Sequence, residues 1–172
     1  MTTKTYPLRG VRLYVAVLAA IKAEPMTAAR CAAHLGTALT PTRTVLWYLT
    51  HGNLAHVTDW TRDPGATVFT PTFYGRPGKS APYPGRLTGR APGSGVSQHA
   101  PRAKLAEFIE IANTLRDHPM SVLDIHDMLD KRQSSRLHAA YKVMHEAGLI
   151  HVWAWTRDSA RGPWAAVWAW GA

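Results

Sequence analysis

A chain of 172 residues with 46% hydrophobic residues can bury a core, which excludes a wholly disordered polypeptide and leaves room for one ordinary domain or two small ones. Its 20 Lys and Arg against 11 Asp and Glu give a net charge of +9, and 14 of those 20 are Arg, the side chain best suited to phosphates and guanine edges. The longest apolar run, residues 13–21, is too short to cross a bilayer, so no membrane partner is expected. The single cysteine, Cys31, excludes an internal disulfide framework and a cysteine-based zinc module. A basic, thiol-poor chain points to nucleic acid in a reducing cytoplasm, although an anionic membrane or an acidic protein answers the same charge.

In chain order, Val11, Tyr14, Val15, Leu18 and Ile21 fall on one stripe of an amphipathic helix. Basic residues ahead of this stretch imitate a secretory signal, but the same segment recurs in the second half of the chain, where it cannot be one. Pro25 ends the helix, and Thr27 caps a second, short helix that buries Ala28, Cys31 and Leu35. A third helix is expected from Thr40-Pro41, with Thr as the cap and Pro in the first helical position. It buries Thr42, Val45, Leu46 and Leu49 and ends at a left-handed Asn53. Two strands, 54–60 and 67–74, joined by a turn at 62–65, complete a unit spanning residues 8–75.

Residues 76–101 then read as a basic, flexible linker. Residues 75–101 hold six of the 13 Gly and five of the 12 Pro, and no acidic residue occurs from 64 to 106. After it the first unit repeats over residues 102–172. Residues 56–63, HVTDWTRD, return as 151–158, HVWAWTRD, with six of eight positions identical. The helical stripe returns as Leu105, Phe108, Ile109, Ala112 and Leu115, and Pro119 as the stop. Ser121 with Asp124 forms a capping box before Val122, Ile125 and Leu129. A third helix from Gln133-Ser134 buries Leu137, Ala140, Tyr141 and Met144 and closes on Gly148, before strands at 149–156 and 164–170. The fold class expected is α+β and mainly helical.

Three helices followed by a β-hairpin, with Ser134-Ser135-Arg136-Leu137 leading to Gly148-Leu149-Ile150, resembles the winged helix-turn-helix of MarR- and GntR-type bacterial regulators. The resemblance covers both units, and Gly52-Asn53-Leu54 in the first departs from the Ala-Gly-Leu-Ile pattern of the second. It implies that the third helix enters the major groove of double-stranded DNA while the wing touches the minor groove or phosphates. Removing the buried stripe leaves Arg132, Ser134, Ser135, Arg136, His138 and Lys142 as contacts in the second unit, and Arg43, Thr44 and Trp47 in the first. The wings add Arg62, Arg157 and Arg161, and the linker adds Arg76, Lys79, Arg86 and Arg90. Any one of these is equally readable as an ordinary solvated surface residue; the expectation concerns the cluster.

Rival constellations are weaker. Cys31 and His34 have a metal-compatible spacing, but Cys31 occupies the slot of buried Ile125. Gly78-Lys79-Ser80 imitates the end of a P-loop without its first glycine, Phe73 standing in that place. Gly75-Arg76-Pro77 resembles an AT-hook core but reads as a turn. His56 and His151 read as sheet packing. Five of the seven tryptophans crowd the last 20 residues, a face that suits stacked bases, a core, a homodimer contact or a protein partner. No catalytic spacing and no cofactor motif stands out, so a non-enzymatic bacterial or phage transcriptional regulator is expected. The alternatives are a plasmid or phage replication initiator, or a protein-interaction module with a Trp-rich wing.

Overall fold

The computed structural model describes residues 8–85, 103–129, 134–157 and 162–171. Among these the chain is α+β, with six helices and two three-stranded antiparallel sheets. It divides into two compact units, residues 1–106 and 107–172. No helix among the described residues is long and apolar enough to cross a membrane.

The first unit runs α1 (Val11–Ala23), β1 (Met26–Thr27), α2 (Ala28–Leu35), α3 (Leu39–His51), β2 (His56–Thr61) and β3 (Thr70–Tyr74). Helix α1 buries more than a stripe: Leu13, Val17 and Ala20 are covered as well as Tyr14, Val15, Leu18 and Ile21. It packs against α2, α3 and β3 at once, so the apolar face must widen. The Thr27 hydroxyl accepts from the Arg30 backbone N–H at 3.3 Å, which caps α2, and Gly36 ends that helix in the left-handed conformation.

The start of α3 departs from expectation. Its cap is Ala38, with no side-chain hydrogen bond, and Pro41 sits third in the helix rather than first. That position is still tolerated, because the first-turn N–H groups have no intrahelical acceptor for Pro to forfeit. Thr42 is wholly buried and satisfied: its hydroxyl donates to the Ala38 carbonyl at 3.0 Å and so must accept from Thr37, 2.9 Å away. Asn53 (φ 57°) and its counterpart Gly148 (φ 66°) both terminate the preceding helix in the left-handed region. In both units the next N–H bonds back into the last turn, Leu54 to Leu49 and Leu149 to Met144, each at 2.9 Å.

The second unit repeats this order as α4 (Ala103–Asp117), β4 (Met120–Ser121), α5 (Val122–Met128), α6 (Ser134–Glu146), β5 (Ile150–Thr156) and β6 (Ala165–Trp170). In α4, Ile111 rather than Ile109 completes the buried set with Leu105, Phe108, Ala112 and Leu115. The Ser121–Asp124 capping box forms in both directions, at 3.2 and 2.8 Å. The sheets share one topology, β1-β3-β2 and β4-β6-β5, and one irregularity, a register shift after Val57 and after Val152. The hairpin strands are those expected within two or three residues at each end, while β1 and β4 are additions to the expected hairpin.

Residues 76–85 do not run free as a linker. The Ala81 N–H donates to the Val57 carbonyl at 2.7 Å, and the Val57 N–H donates to the Ser80 hydroxyl at 3.1 Å. This arm therefore lies along the outer edge of β2, satisfying backbone groups that a bare edge strand would leave to water. The rest of the expected linker, including Arg86 and Arg90, lies outside the described residues.

Candidate nucleic-acid interface

Helices α3 and α6 each bury the expected face, namely Thr42, Val45, Leu46 and Leu49 in one and Leu137, Ala140, Tyr141 and Met144 in the other. The opposite face of α3 exposes Arg43 and Thr44, and that of α6 exposes His138 and Lys142. The Thr44 hydroxyl is turned back onto the Thr40 carbonyl at 3.0 Å, and Lys142 lies 3.9 Å from Glu146 one turn on. Both contacts are exposed and exchange readily for a ligand oxygen. Ser134, Ser135 and Arg136 belong to the first turn of α6, but their side chains lie outside the described residues, as do Arg132 and Arg161.

Trp47 does not project from α3 into solvent. Its ring meets Phe73 edge-on at 5.2 Å and Trp60 at 6.4 Å, so it ties the helix to the hairpin. Arg62 is likewise engaged: Nε donates to the Ala66 carbonyl at 2.5 Å and the guanidinium lies 5.7 Å from the Phe69 ring. In the second unit Arg157 covers Trp164 at 4.8 Å. Arg76 stacks on Tyr74 at 5.2 Å. Burial, reinforced by Arg76, holds the Lys22 ammonium below the usual lysine range. Lys79 is exposed on the arm.

The repeated histidines have a structural role. His56 Nδ1 lies 2.7 Å from the Arg76 carbonyl, and His151 Nδ1 lies 2.7 Å from that of Gly171. A carbonyl only accepts, so Nδ1 carries the proton in both units. Each ring pins the chain just past the end of the hairpin, which agrees with a packing rather than a metal role. Among the described residues no group of three or more His, Cys, Asp or Glu is placed to hold a metal ion. Cys31 is buried, and desolvation pushes its thiol up to about 11.

Sequence reasoning missed Tyr83, whose ring sits 4.9 Å from Trp60 and 5.8 Å from Phe69. The available signal was its isolation, since Tyr83 is the only Phe, Tyr or Trp between Tyr74 and Phe108. In the second unit a groove of about 450 Å³ opens between α6 and the hairpin, lined in part by His138, Tyr141, Lys142, His145, Trp164 and Trp168. Trp153, Trp155 and Trp164 are 66%, 61% and 60% exposed.

No protein-family model matches the chain, and neither the curated proteins nor the solved structures include a significant match.

Proposed function

We propose that the chain is a sequence-specific double-stranded DNA-binding protein made of two winged helix-turn-helix units, acting as a bacterial or phage transcriptional regulator in the cytoplasm. One observation carries this reading. Each unit follows a helix that is buried on one face and polar on the other with a hairpin bearing Arg at the same place, Arg62 and Arg157. A helix of this kind fits the major groove, and a basic hairpin beside it reaches phosphates or the minor groove. The net charge of +9 supplies the attraction that any duplex exerts, independent of sequence.

The second unit leads in reading sequence, because Trp47 of the first is committed to an internal contact whereas Lys142, at the same place in the second, is exposed. The exposed residues of α3 and α6 differ, Arg43 and Thr44 against His138 and Lys142, so the preferred site is asymmetric rather than a perfect palindrome. Selection from a random duplex pool, with single-stranded competitor present, tests the proposal. Enrichment of a defined, non-palindromic motif is expected, and recovery of unenriched sequence overturns it.

A further inference from the structure

The two hairpins correspond residue for residue. The registers pair Val57 with Phe73 and Val152 with Trp168, a constant offset of 95 that also relates Trp60 to Trp155 and Phe69 to Trp164. In the first unit this surface is covered by the chain itself. The arm pairs with Val57 through Ser80 and Ala81, the Trp60 indole N–H donates to the Ala81 carbonyl at 3.0 Å, and Tyr83 enters edge-on between Trp60 and Phe69. In the second unit the same backbone presents β5 as the sheet edge, and Trp155 and Trp164 stand 61% and 60% exposed. Two large exposed rings on a strand edge that pairs with no further strand among the described residues form the kind of patch that marks a binding surface.

We infer that the outer edge of β5, with Trp155 and Trp164, binds an extended segment of a partner protein that carries a tyrosine between prolines and lies against the strand edge as the arm does in the first unit. This goes beyond the DNA-binding reading and does not depend on it. A backbone hydrogen bond to the strand edge combined with one ring set between two others is a polypeptide's pattern, and docking of an extended segment on a strand edge is a common mode of peptide recognition. A second copy of this chain can offer its own arm only by stripping Trp60 and Phe69, which argues for a separate partner. The charges select the flanks. Arg157 lies over Trp164, Lys142 and His138 line the adjoining groove, and the position of Asp59 is taken by Ala154. The segment therefore carries acidic residues where the first unit's arm carries Arg76 and Lys79.

The test titrates the intact chain with the synthetic peptide Asp-Glu-Ser-Ala-Pro-Tyr-Pro-Glu-Asp, followed by tryptophan fluorescence and indole N–H resonances. Saturable binding is expected, weakened about tenfold or more when the peptide's tyrosine becomes alanine and by either Trp155→Ala or Trp164→Ala. Trp164 lies just outside β6, so its variant keeps the sheet even if Trp155→Ala does not, and circular dichroism confirms this. Absence of saturable binding overturns the inference, as does binding that neither tryptophan variant weakens. If a single-stranded oligonucleotide binds these rings and the peptide does not, the surface belongs to bases and the inference fails. Self-association lost in Trp155→Ala, with no peptide binding, assigns it to a second copy and equally refutes it.

Discussion

Tyr141→Phe should stabilise the second unit. Tyr141 is 2% exposed, its ring meets Trp168 at 5.8 Å, and its hydroxyl is buried without a hydrogen-bond partner. An unpaired buried hydroxyl costs roughly 1–3 kcal/mol, whereas phenylalanine keeps the ring contacts and loses only the oxygen. Part of that cost returns as strain or a small void, so a gain of about 1 kcal/mol is expected. For a unit of this size that raises Tm by about 4–8 °C. The assay is thermal unfolding followed by tryptophan fluorescence, which is weighted towards the second unit because it holds five of the seven tryptophans. Alkali provides a second arm. Burial, and secondarily the Asp124 carboxylate, raise the Tyr141 phenol above its usual 10.0, so above about pH 10 the unfolded chain releases its proton first and stability falls. Phenylalanine has no such proton, and its advantage should widen as pH rises beyond 10. A loss of 1 kcal/mol or more at neutral pH, or an advantage that stays constant to pH 11, would refute the reasoning and mean that the hydroxyl is satisfied.

Ser121→Ala removes the hydroxyl that accepts from the Asp124 N–H at 3.2 Å and leaves the backbone N–H at 121 on the Asp124 carboxylate, so it should cost about 1 kcal/mol, as Thr27→Ala should for its single 3.3 Å bond; chemical denaturation of both variants checks the match. Cys31, raised from 9.0 to about 11, should be modified at pH 8 about 100-fold more slowly than an ordinary thiol, and Cys31→Ala should flatten the stability loss between pH 9 and 11, where only the unfolded thiol ionises. Tyr83→Ala should destabilise the first unit by about 1–2 kcal/mol and red-shift Trp60 emission; an unchanged spectrum would show that the arm is not seated. Under the DNA-binding proposal, Arg136→Ala should cost roughly 1–3 kcal/mol and relax one base pair, whereas Arg86→Ala or Arg90→Ala should weaken all duplexes alike and flatten the salt slope, as binding isotherms at several salt concentrations will show.

Much of this fold is legible wherever burial has a period. The faces of α3 and α6 follow from residues three and four apart, and even Thr42 is placed correctly, because spacing outweighs its hydroxyl. What escapes is whatever lacks a period. The strands Met26–Thr27 and Met120–Ser121 are too short to alternate, and they exist because β3 and β6 each have a second edge to fill. The arm at 76–85 has the composition of a linker, and its order comes from Val57 and Trp60, some 20 residues earlier in the chain. The same blindness to distant contacts explains Trp47 and Arg62. Subtracting a helix's core stripe leaves Trp47 pointing outward, but the hairpin folds back over that flank and claims it.

The repeat itself needs careful interpretation. Identity between the units concentrates in residues that hold the hairpin together. His56 and His151 bind carbonyls 20 residues on, and Arg62 and Arg157 lie over the facing rings Phe69 and Trp164. Within the repeated segment the two positions that differ are exposed in both units, whereas core positions such as Leu46 and Tyr141 change with the packing around them. Thr58 and Trp153 sit at the register shift outside the strand ladder, Asp59 becomes Ala154, and Trp47, which closes the first unit, becomes the exposed Lys142. Duplicated architecture tolerates little change in residues that serve the same backbone geometry twice, whereas each outward position is free to meet a different partner. A motif such as HVxxWTRD, the loudest signal in the chain, therefore marks scaffold. Specificity has to be sought where the two halves diverge, at Arg43 and Thr44 against His138 and Lys142, and in the one shared ring whose cover differs, Trp155, which with Trp164 the second unit leaves open to solvent.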